Sequence, residues 1–295
     1  MTFPALDGYE LGGVHFRTHG ECTPPSVVVL VGGGGIAARR YRHFARFLAS
    51  CGIAVLTFDY RGVGRSRPPK LRGFKATVED WSEWDCGGAI SWMRGTYPQS
   101  EMIGVTHSIG SLVLGGAPNV GELSRLLFIA AHTGYCGDYA KRYRIPMALT
   151  WHLVIPALTR LFGYFPGQML RLGEDIPAGI ALQWAARTRP ELRLGDGNPE
   201  SSRGRKILQR FAKIHVPTLA ISFADDPFAT ESGSRRLLSC YPAGRVRLAI
   251  VDPSEMGLTH IGHFGFFRRN ADIELWPSVI EFLLEQTPIP RRIAI

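Results

Sequence analysis

Met102-Ile103-Gly104-Val105-Thr106-His107-Ser108-Ile109-Gly110 is an apolar run that ends in a serine with a glycine two places after it. A buried strand that breaks into a helix at such a turn holds the serine hydroxyl exposed in a strained backbone position, and small neighbours let strand and helix approach closely. The spacing predicts a strand over 102–106, a helix after it, and Ser108 as a nucleophile. The usual G-x-S-x-G pattern has glycine two places before the serine, where this chain has Thr106. A β-branched side chain at that place is expected to point into free space. Serine also caps helices readily, so the reading rests on finding a base and an acid downstream.

Runs at Val27–Val31, Ala54–Phe58, Met102–Thr106, Leu126–Ala130, Thr218–Ser222 and Val246–Val251 are continuously apolar. Strands covered by helices on both faces read this way, whereas half-exposed strands alternate. Amphipathic segments lie between them, including Tyr41–Ser50 and Trp81–Tyr97. The fold class that follows is α/β, a doubly wound and mostly parallel sheet. A pair around Tyr9–Leu11 and Val14–Thr18 is expected as an antiparallel edge, and Pro277–Gln286 reads as a closing helix.

The acid candidate follows the strand-like run Val216–Ser222, which ends in Phe223-Ala224-Asp225-Asp226-Pro227. Asp226 is the preferred residue, with Asp225 beside it as an alternative. The base candidate lies beyond Val246–Val251, in a loop through Gly257-Leu258-Thr259-His260-Ile261-Gly262-His263-Phe264-Gly265. His263 is preferred to His260, because a ring at a loop-to-helix junction can swing toward a serine while the aromatic residues behind it anchor the loop. The chain order Ser, Asp, His belongs to one particular hydrolase architecture. A histidine takes the proton of a serine hydroxyl well because it titrates near neutral pH, and a carboxylate on its far nitrogen fixes the tautomer.

With these residues in place the chain resembles the α/β-hydrolase superfamily, over about Val27 to Leu284. Phe58-Asp59-Tyr60-Arg61-Gly62-Val63-Gly64-Arg65-Ser66 is similar to the D-x-R-G-x-G-x-S loop of these proteins. Gly163–Gly167, Leu172–Pro177 and Gln183-Trp184 resemble a microbial subgroup of predicted α/β hydrolases. The resemblance implies Asp226 as the acid by its G-x-x-D spacing, although Phe223 stands where the glycine is usual. Asp138 occupies a region from which some relatives supply the acid, and His107 precedes the nucleophile in many relatives as a packing or hydrogen-bonding residue. Two backbone amides must face the oxygen of the attacked carbonyl. One is expected from Ile109; the other, by similarity, from the loop Gly32-Gly33-Gly34-Gly35-Ile36, with Ile36 first and Gly35 next. No G-K-[ST] follows these glycines, which sets aside a phosphate loop.

The 295 residues are 45% hydrophobic with mean hydropathy near zero, enough for one large domain with a cap and too apolar for disorder. The N-terminus, Met1–Gly8, has neither the basic segment nor the apolar core of a secretory signal, and no uninterrupted apolar run approaches the ~18 residues of a membrane span. Five cysteines, Cys22, Cys51, Cys86, Cys136 and Cys240, are scattered without C-x-x-C spacing, so reduced thiols in the cytoplasm are expected. The net charge of +9 comes from residues spread singly or in pairs, with no nucleic-acid module beside them. Arg203, Arg205, Lys206 and Arg210 form the densest basic run and read as the outside of a helix. His260 and His263 lack a third ligand, and neither metal nor cofactor is expected.

Between about Gly134 and Gln209 the alternation of strands and helices lapses, and aromatic and aliphatic residues recur at helical spacing. A helical cap inserted after the sixth strand is expected there, dividing the chain into core 1–133, cap 134–210 and core 211–295. Trp151, Leu153, Phe162, Tyr164, Phe165, Met169, Leu182 and Trp184 give it an apolar face, a subset of which would roof the pocket. Leu194–Gly204 reads as a polar, turn-rich stretch. The leading expectation is a cofactor-independent serine hydrolase acting on a small-molecule ester or thioester with an apolar portion. An acyltransferase or cyclase using the same three residues, and a non-catalytic ligand-binding protein on the same scaffold, are the competing readings.

Overall fold

The continuously apolar runs form the centre of an eight-stranded sheet in a computed structural model, which describes residues 1–20, 22–186, 206, 209–242, 245–272 and 275–284. In chain order the strands are β1 (Thr2–Pro4), β2 (Glu10–Phe16), β3 (Ser26–Val31), β4 (Ala54–Phe58), β5 (Glu101–His107), β6 (Arg125–Ile129), the short pair β7 (Tyr164–Phe165) and β8 (Ile176–Pro177), β9 (Thr218–Phe223) and β10 (Val246–Val251). The main sheet runs β1-β2-β4-β3-β5-β6-β9-β10. From β4 to β10 every pairing is parallel, and β7 and β8 form a separate hairpin. Every residue of β3 and β4 is buried, as strands packed on both faces require.

One face packs against the helical stretch from Val78 to Thr96 and the helix Gly110–Gly115, through Trp81, Ile90, Met93 and Leu112. The other packs against Arg42–Ser50 and Pro277–Leu284, through Phe44, Leu48, Phe266, Trp276 and Val279. The closing helix is described to Leu284; its expected end at Gln286 lies outside the described residues, as do Leu194–Gly204, Arg203 and Arg205.

The antiparallel edge differs from the sequence reading. Residues 10–16 make one strand, not two arms of a hairpin, and its partners are β1 on one side and β4 on the other. Gly12 and Gly13 look like a turn, but neither adopts the left-handed backbone a hairpin turn would use. Gly12 serves close approach: a Cβ there would stand 2.4 Å from that of Arg65.

The loop Asp59–Ser66 braces the strand ends that carry the site. The Asp59 carboxylate accepts the amides of Ala38 (2.6 Å) and Arg65 (2.9 Å), and the Ser66 hydroxyl accepts the Gly12 amide (2.8 Å). Arg61 is buried between two carboxylates: its Nε donates to Asp85 at 2.7 Å and its terminal nitrogens to Asp7 at 2.7 and 2.8 Å. The Asp85 side chain is fully buried.

Between β6 and β9 the chain leaves the sheet and crosses over the ends of the strands. A helix from Lys141 to Phe162, interrupted by a wider turn at Thr150–Val154, is followed by the β7–β8 hairpin and the helix Ala178–Ala185. Its 22 residues are long and apolar enough, by length and composition alone, to cross a membrane. No such run was expected from the sequence, because Lys141, Arg142, Arg144, His152 and Arg160 interrupt the apolar residues. One side of this helix packs inward through Trp151, Ile155 and Leu158.

Removing one partner of a buried ion pair strands the other charge. Asp85→Ala is expected to lower unfolding free energy by about 3–5 kcal/mol in urea titrations followed by circular dichroism.

Candidate active site

Ser108 stands at the turn from β5 into the helix Gly110–Gly115 with φ of 58°, a left-handed conformation rare for a residue with a Cβ. Its amide is fixed by the Ile129 carbonyl of the neighbouring strand at 2.9 Å. The turn requires Gly110, because a Cβ there would lie 2.4 Å from the Val31 carbonyl oxygen. Thr106 does not point into free space as expected. It is fully buried, and its hydroxyl lies 2.8 Å from that of Ser111, which donates to the Ser108 carbonyl at 3.1 Å. With the Ser111 proton so committed, Thr106 is the donor between them, and its hydroxyl replaces the usual glycine by a buried hydrogen bond.

The three residues singled out from the sequence meet. Ser108 Oγ lies 3.0 Å from His263 Nε2, and His263 Nδ1 lies 2.7 Å from Asp226 Oδ2. Asp226 also accepts the amides of Phe228 (2.8 Å) and Ala229 (3.1 Å) through its other oxygen. Burial pushes the Asp226 carboxyl up, but the hydrogen bond and charge of His263 and the two amides outweigh it and hold the group below the usual carboxylate range.

The alternative acids face elsewhere. Asp225 accepts the Ile261 and Gly262 amides at 2.9 Å each and pairs with His260 at 2.6 Å, so it pins the backbone of the loop that carries His263. Asp138 is bound to Arg236 at 2.6 and 3.0 Å.

A second imidazole also reaches the serine, and sequence reasoning missed it. His132 Nε2 is 3.0 Å from Ser108 Oγ, while its Nδ1 accepts the Gly134 amide at 3.0 Å. An acceptor at Nδ1 leaves the proton of a neutral ring on Nε2, so His132 donates to Oγ and the serine proton is directed toward His263. The signal that could have found it is position: His132 follows the end of β6, the strand next to β5, at the same edge of the sheet as Ser108.

His107 connects the glycine loop to the histidine loop. The Gly33 amide donates to the Tyr41 hydroxyl at 2.8 Å, which lies 3.0 Å from His107 Nδ1, and His107 Nε2 lies 2.9 Å from the His263 carbonyl. This order makes Tyr41 the donor to Nδ1 and leaves His107 Nε2–H to hold the His263 backbone. Burial, then the neighbouring His263, hold the His107 pKa well below that of a free histidine, consistent with a neutral ring.

The Ile36 amide closes a turn onto the Gly33 carbonyl at 3.3 Å, and Gly35 offers its carbonyl to the Glu174 amide at 2.8 Å. Gly34 and Ile36 line the serine's pocket, whereas Gly35 lines a neighbouring cleft. Among the described residues the Gly34 and Ile109 amides have no protein acceptor. Trp184 covers Gly34 so closely that a Cβ there would stand 2.0 Å from the indole.

Above Ser108 lies a cavity of about 240 Å³ walled by Met147, Trp151, Ile155, Phe165, Ala181 and Trp184. His132 and His263 join Ser108 in its lining. The β7–β8 hairpin is tied to the core by Arg67 on Asp175 (2.6 Å) and Arg39 on Glu174 (2.6 Å). Gln183 ties the following helix down through two contacts to Glu79 at 2.7 and 2.9 Å.

Residues 23–117 match the family described as serine aminopeptidase, S33. Over 247 residues the chain is 27% identical to a monoacylglycerol lipase of Mycolicibacterium smegmatis, covering 78% of this chain and 80% of the relative. Its fold is similar to that of a soluble variant of monoglyceride lipase from Saccharomyces cerevisiae solved with a substrate analog, with TM-score 0.67, 15% identity and coverage of 98% and 97% of the two chains. Est1E from Butyrivibrio proteoclasticus, solved with ferulic acid bound, superposes with TM-score 0.62 at 14% identity, covering 97% of this chain and 98% of its own.

If the buried Thr106 hydroxyl holds the turn, Thr106→Val is expected to lower stability by about 1 kcal/mol in urea unfolding. A side chain pointing into free space would make that substitution neutral.

Proposed function

We propose that this chain, which belongs to the α/β-hydrolase superfamily, is a cofactor-independent serine hydrolase that cleaves a carboxylic ester or thioester with an apolar acyl portion. The observation that carries the reading is the continuous line from Ser108 Oγ through His263 to Asp226, at 3.0 and 2.7 Å, on the floor of an apolar cavity. The likeness to a monoacylglycerol lipase and to esterase folds supports it. In the same reading, residues 134–210 are a cap whose inner face roofs that cavity.

Attack begins when His263 Nε2 takes the serine proton as Oγ bonds to the carbonyl carbon. Asp226, ionised, stabilises the imidazolium and keeps its ring oriented. His132, donating Nε2–H to Oγ, leaves the serine only one acceptor for its own proton, so the hydroxyl is aligned before substrate arrives. Negative charge on the carbonyl oxygen is met by the Ile109 amide and, in place of the expected Ile36, the Gly34 amide; neither has a protein acceptor among the described residues, and both residues line the serine's pocket. His263 then returns its proton to the leaving oxygen or sulfur. Water, activated by the same imidazole, releases the acid from the acyl-enzyme.

Intact-mass spectrometry after exposure to a fluorophosphonate tests this directly. A single adduct is expected on Ser108 and none in Ser108→Ala, while His263→Ala and Asp226→Asn each lose kcat on short p-nitrophenyl esters by on the order of 10⁴-fold. Labelling of folded Ser108→Ala to the same extent would refute the assignment. Gly34→Ala is expected to force Trp184 aside and lower kcat by roughly 10²–10³-fold, the range for loss of one oxyanion donor. Retention of full activity by Gly34→Ala would return the role to Ile36 or Gly35.

A further inference from the structure

Beside the serine's cavity lies a second, wider cleft of about 940 Å³. The two share Ile36, Leu172, Phe228 and Phe264 as walls, so a molecule with its carbonyl at Ser108 can extend from one into the other. Their chemistry is opposite. Arg39, Arg40, Arg42, Arg171, Arg268 and Arg269 line the cleft, and Glu174 is the one carboxylate among its described lining residues.

These arginines come from three distant segments. Arg39, Arg40 and Arg42 follow the glycine loop, Arg171 lies between β7 and β8, and Arg268 and Arg269 follow the loop of His263. Glu174 engages Arg39 at 2.6 Å. Among the described residues none of the other five has an ion-pair partner, although the chain has 25 acidic residues. Arg40 sits with its guanidinium 4.8 Å over the ring of Phe264, one of the shared walls, which puts a cation at the boundary of the two spaces. Arg171 takes up its place with φ of 57°, a conformation unfavourable for a residue with a Cβ. Like charges gathered without counter-charges favour a bound anion. Guanidinium forks match phosphate oxygens in pairs, and a phosphate monoester carries about −1.5 to −2 charges, so one such group can engage several of them.

We propose that this cleft binds a phosphate-bearing leaving group. The substrate is then an ester or thioester joining an apolar acyl chain, held under Trp151 and Trp184, to a phosphorylated alcohol or thiol. The inference rests on Ser108 being the nucleophile. The acyl–Oγ bond forms, the bond from the acyl carbon to the phosphorylated oxygen or sulfur breaks, and that atom takes the proton from His263.

Two matched pairs separate the sources of the phosphate: decanoyl-coenzyme A against decanoyl-N-acetylcysteamine, and 1-decanoyl-glycerol 3-phosphate against 1-decanoylglycerol. In at least one pair the phosphorylated member is expected to have a kcat/KM roughly tenfold or more above its neutral partner at low salt. The coenzyme A pair reads a nucleotide-bearing thiol and the glycerol pair a lipid headgroup. That ratio should fall toward one in Arg40→Gln/Arg268→Gln/Arg269→Gln, and also in about 0.5 M sodium chloride, where charges are screened within a few ångströms. Because the ratio is taken within one protein, it does not depend on how much of the variant is active. Ratios near one in both pairs, or a high ratio that survives the triple substitution, overturn the proposal. Calorimetric titration of coenzyme A and of glycerol 3-phosphate into Ser108→Ala tests the cleft without turnover. Binding that disappears when the three arginines are also replaced supports it, and no binding of either probe overturns it. Loss of fluorophosphonate labelling at Ser108 would count against the hydrolase reading alone.

Discussion

The site depends on holding one residue with a side chain in a left-handed conformation. Ser108, at φ of 58°, occupies a region that costs an L-residue about 1–2 kcal/mol, and it stays there because its surroundings allow nothing else. Parallel strands hold it from one side through the Ile129 carbonyl. From the other, the Ser111 hydroxyl holds its carbonyl, and behind it the Gly110 backbone touches Val31 with no room for a side chain. What the strain achieves is direction: the hydroxyl is lifted out of the sheet toward two imidazoles instead of lying along the strand.

Once the serine is fixed, the base of the proposed mechanism, His263, must be held to within a few tenths of an ångström, and it is on a loop. Two adjacent aspartates at the end of β9 divide that task. Asp226 orients the ring of His263, while Asp225 binds the amides just before it and the exposed His260. His107 supplies the third restraint by donating to the His263 carbonyl, and through Tyr41 it ties the same loop to Gly33. Nucleophile strand, glycine loop and histidine loop are therefore one hydrogen-bonded unit, and a shift in any of them is passed to the other two.

This explains what was legible in the sequence. The continuously apolar strands, and the order Ser108, Asp226, His263 after strand ends, can be read because burial and chain order leave marks on single segments. The proposed second amide donor left no such mark. In a run of four glycines nothing local separates Gly34 from its neighbours; what does is the turn from Ile36 to Gly33 and the packing of Trp184, some 150 residues away. His132 was missed because an isolated histidine after Ala130-Ala131 has no motif around it, and only the adjacency of β6 to β5 brings it to the serine. The strand Glu10–Phe16 was split into the segments Tyr9–Leu11 and Val14–Thr18 for a related reason, since glycine placed for close contact, as Gly12 is, and glycine placed for a turn look alike in one dimension.

The arginines were invisible for the same reason, and the β7–β8 hairpin shows how their cleft is joined to the chemistry. Glu174 donates its amide to Gly35, next to the proposed oxyanion donor, and gives its carboxylate to Arg39 and Gln168. One residue thus fixes the glycine loop and neutralises one edge of the cleft, leaving the charge of the remaining arginines for a ligand. Binding energy gained on a part of the substrate remote from the reacting carbon is useful to an enzyme only if it is spent on orientation there. Here the connection is short: Phe264, on which Arg40 stacks, and Leu172, which follows Arg171, line both the cleft and the serine's cavity. In the proposed complex, an anion seated among these arginines fixes the carbonyl along the line between Ser108 and the amides of Gly34 and Ile109. The apolar cavity alone would let a flexible chain slide past that line, because burial of methylene groups is favourable at many depths and specific to none.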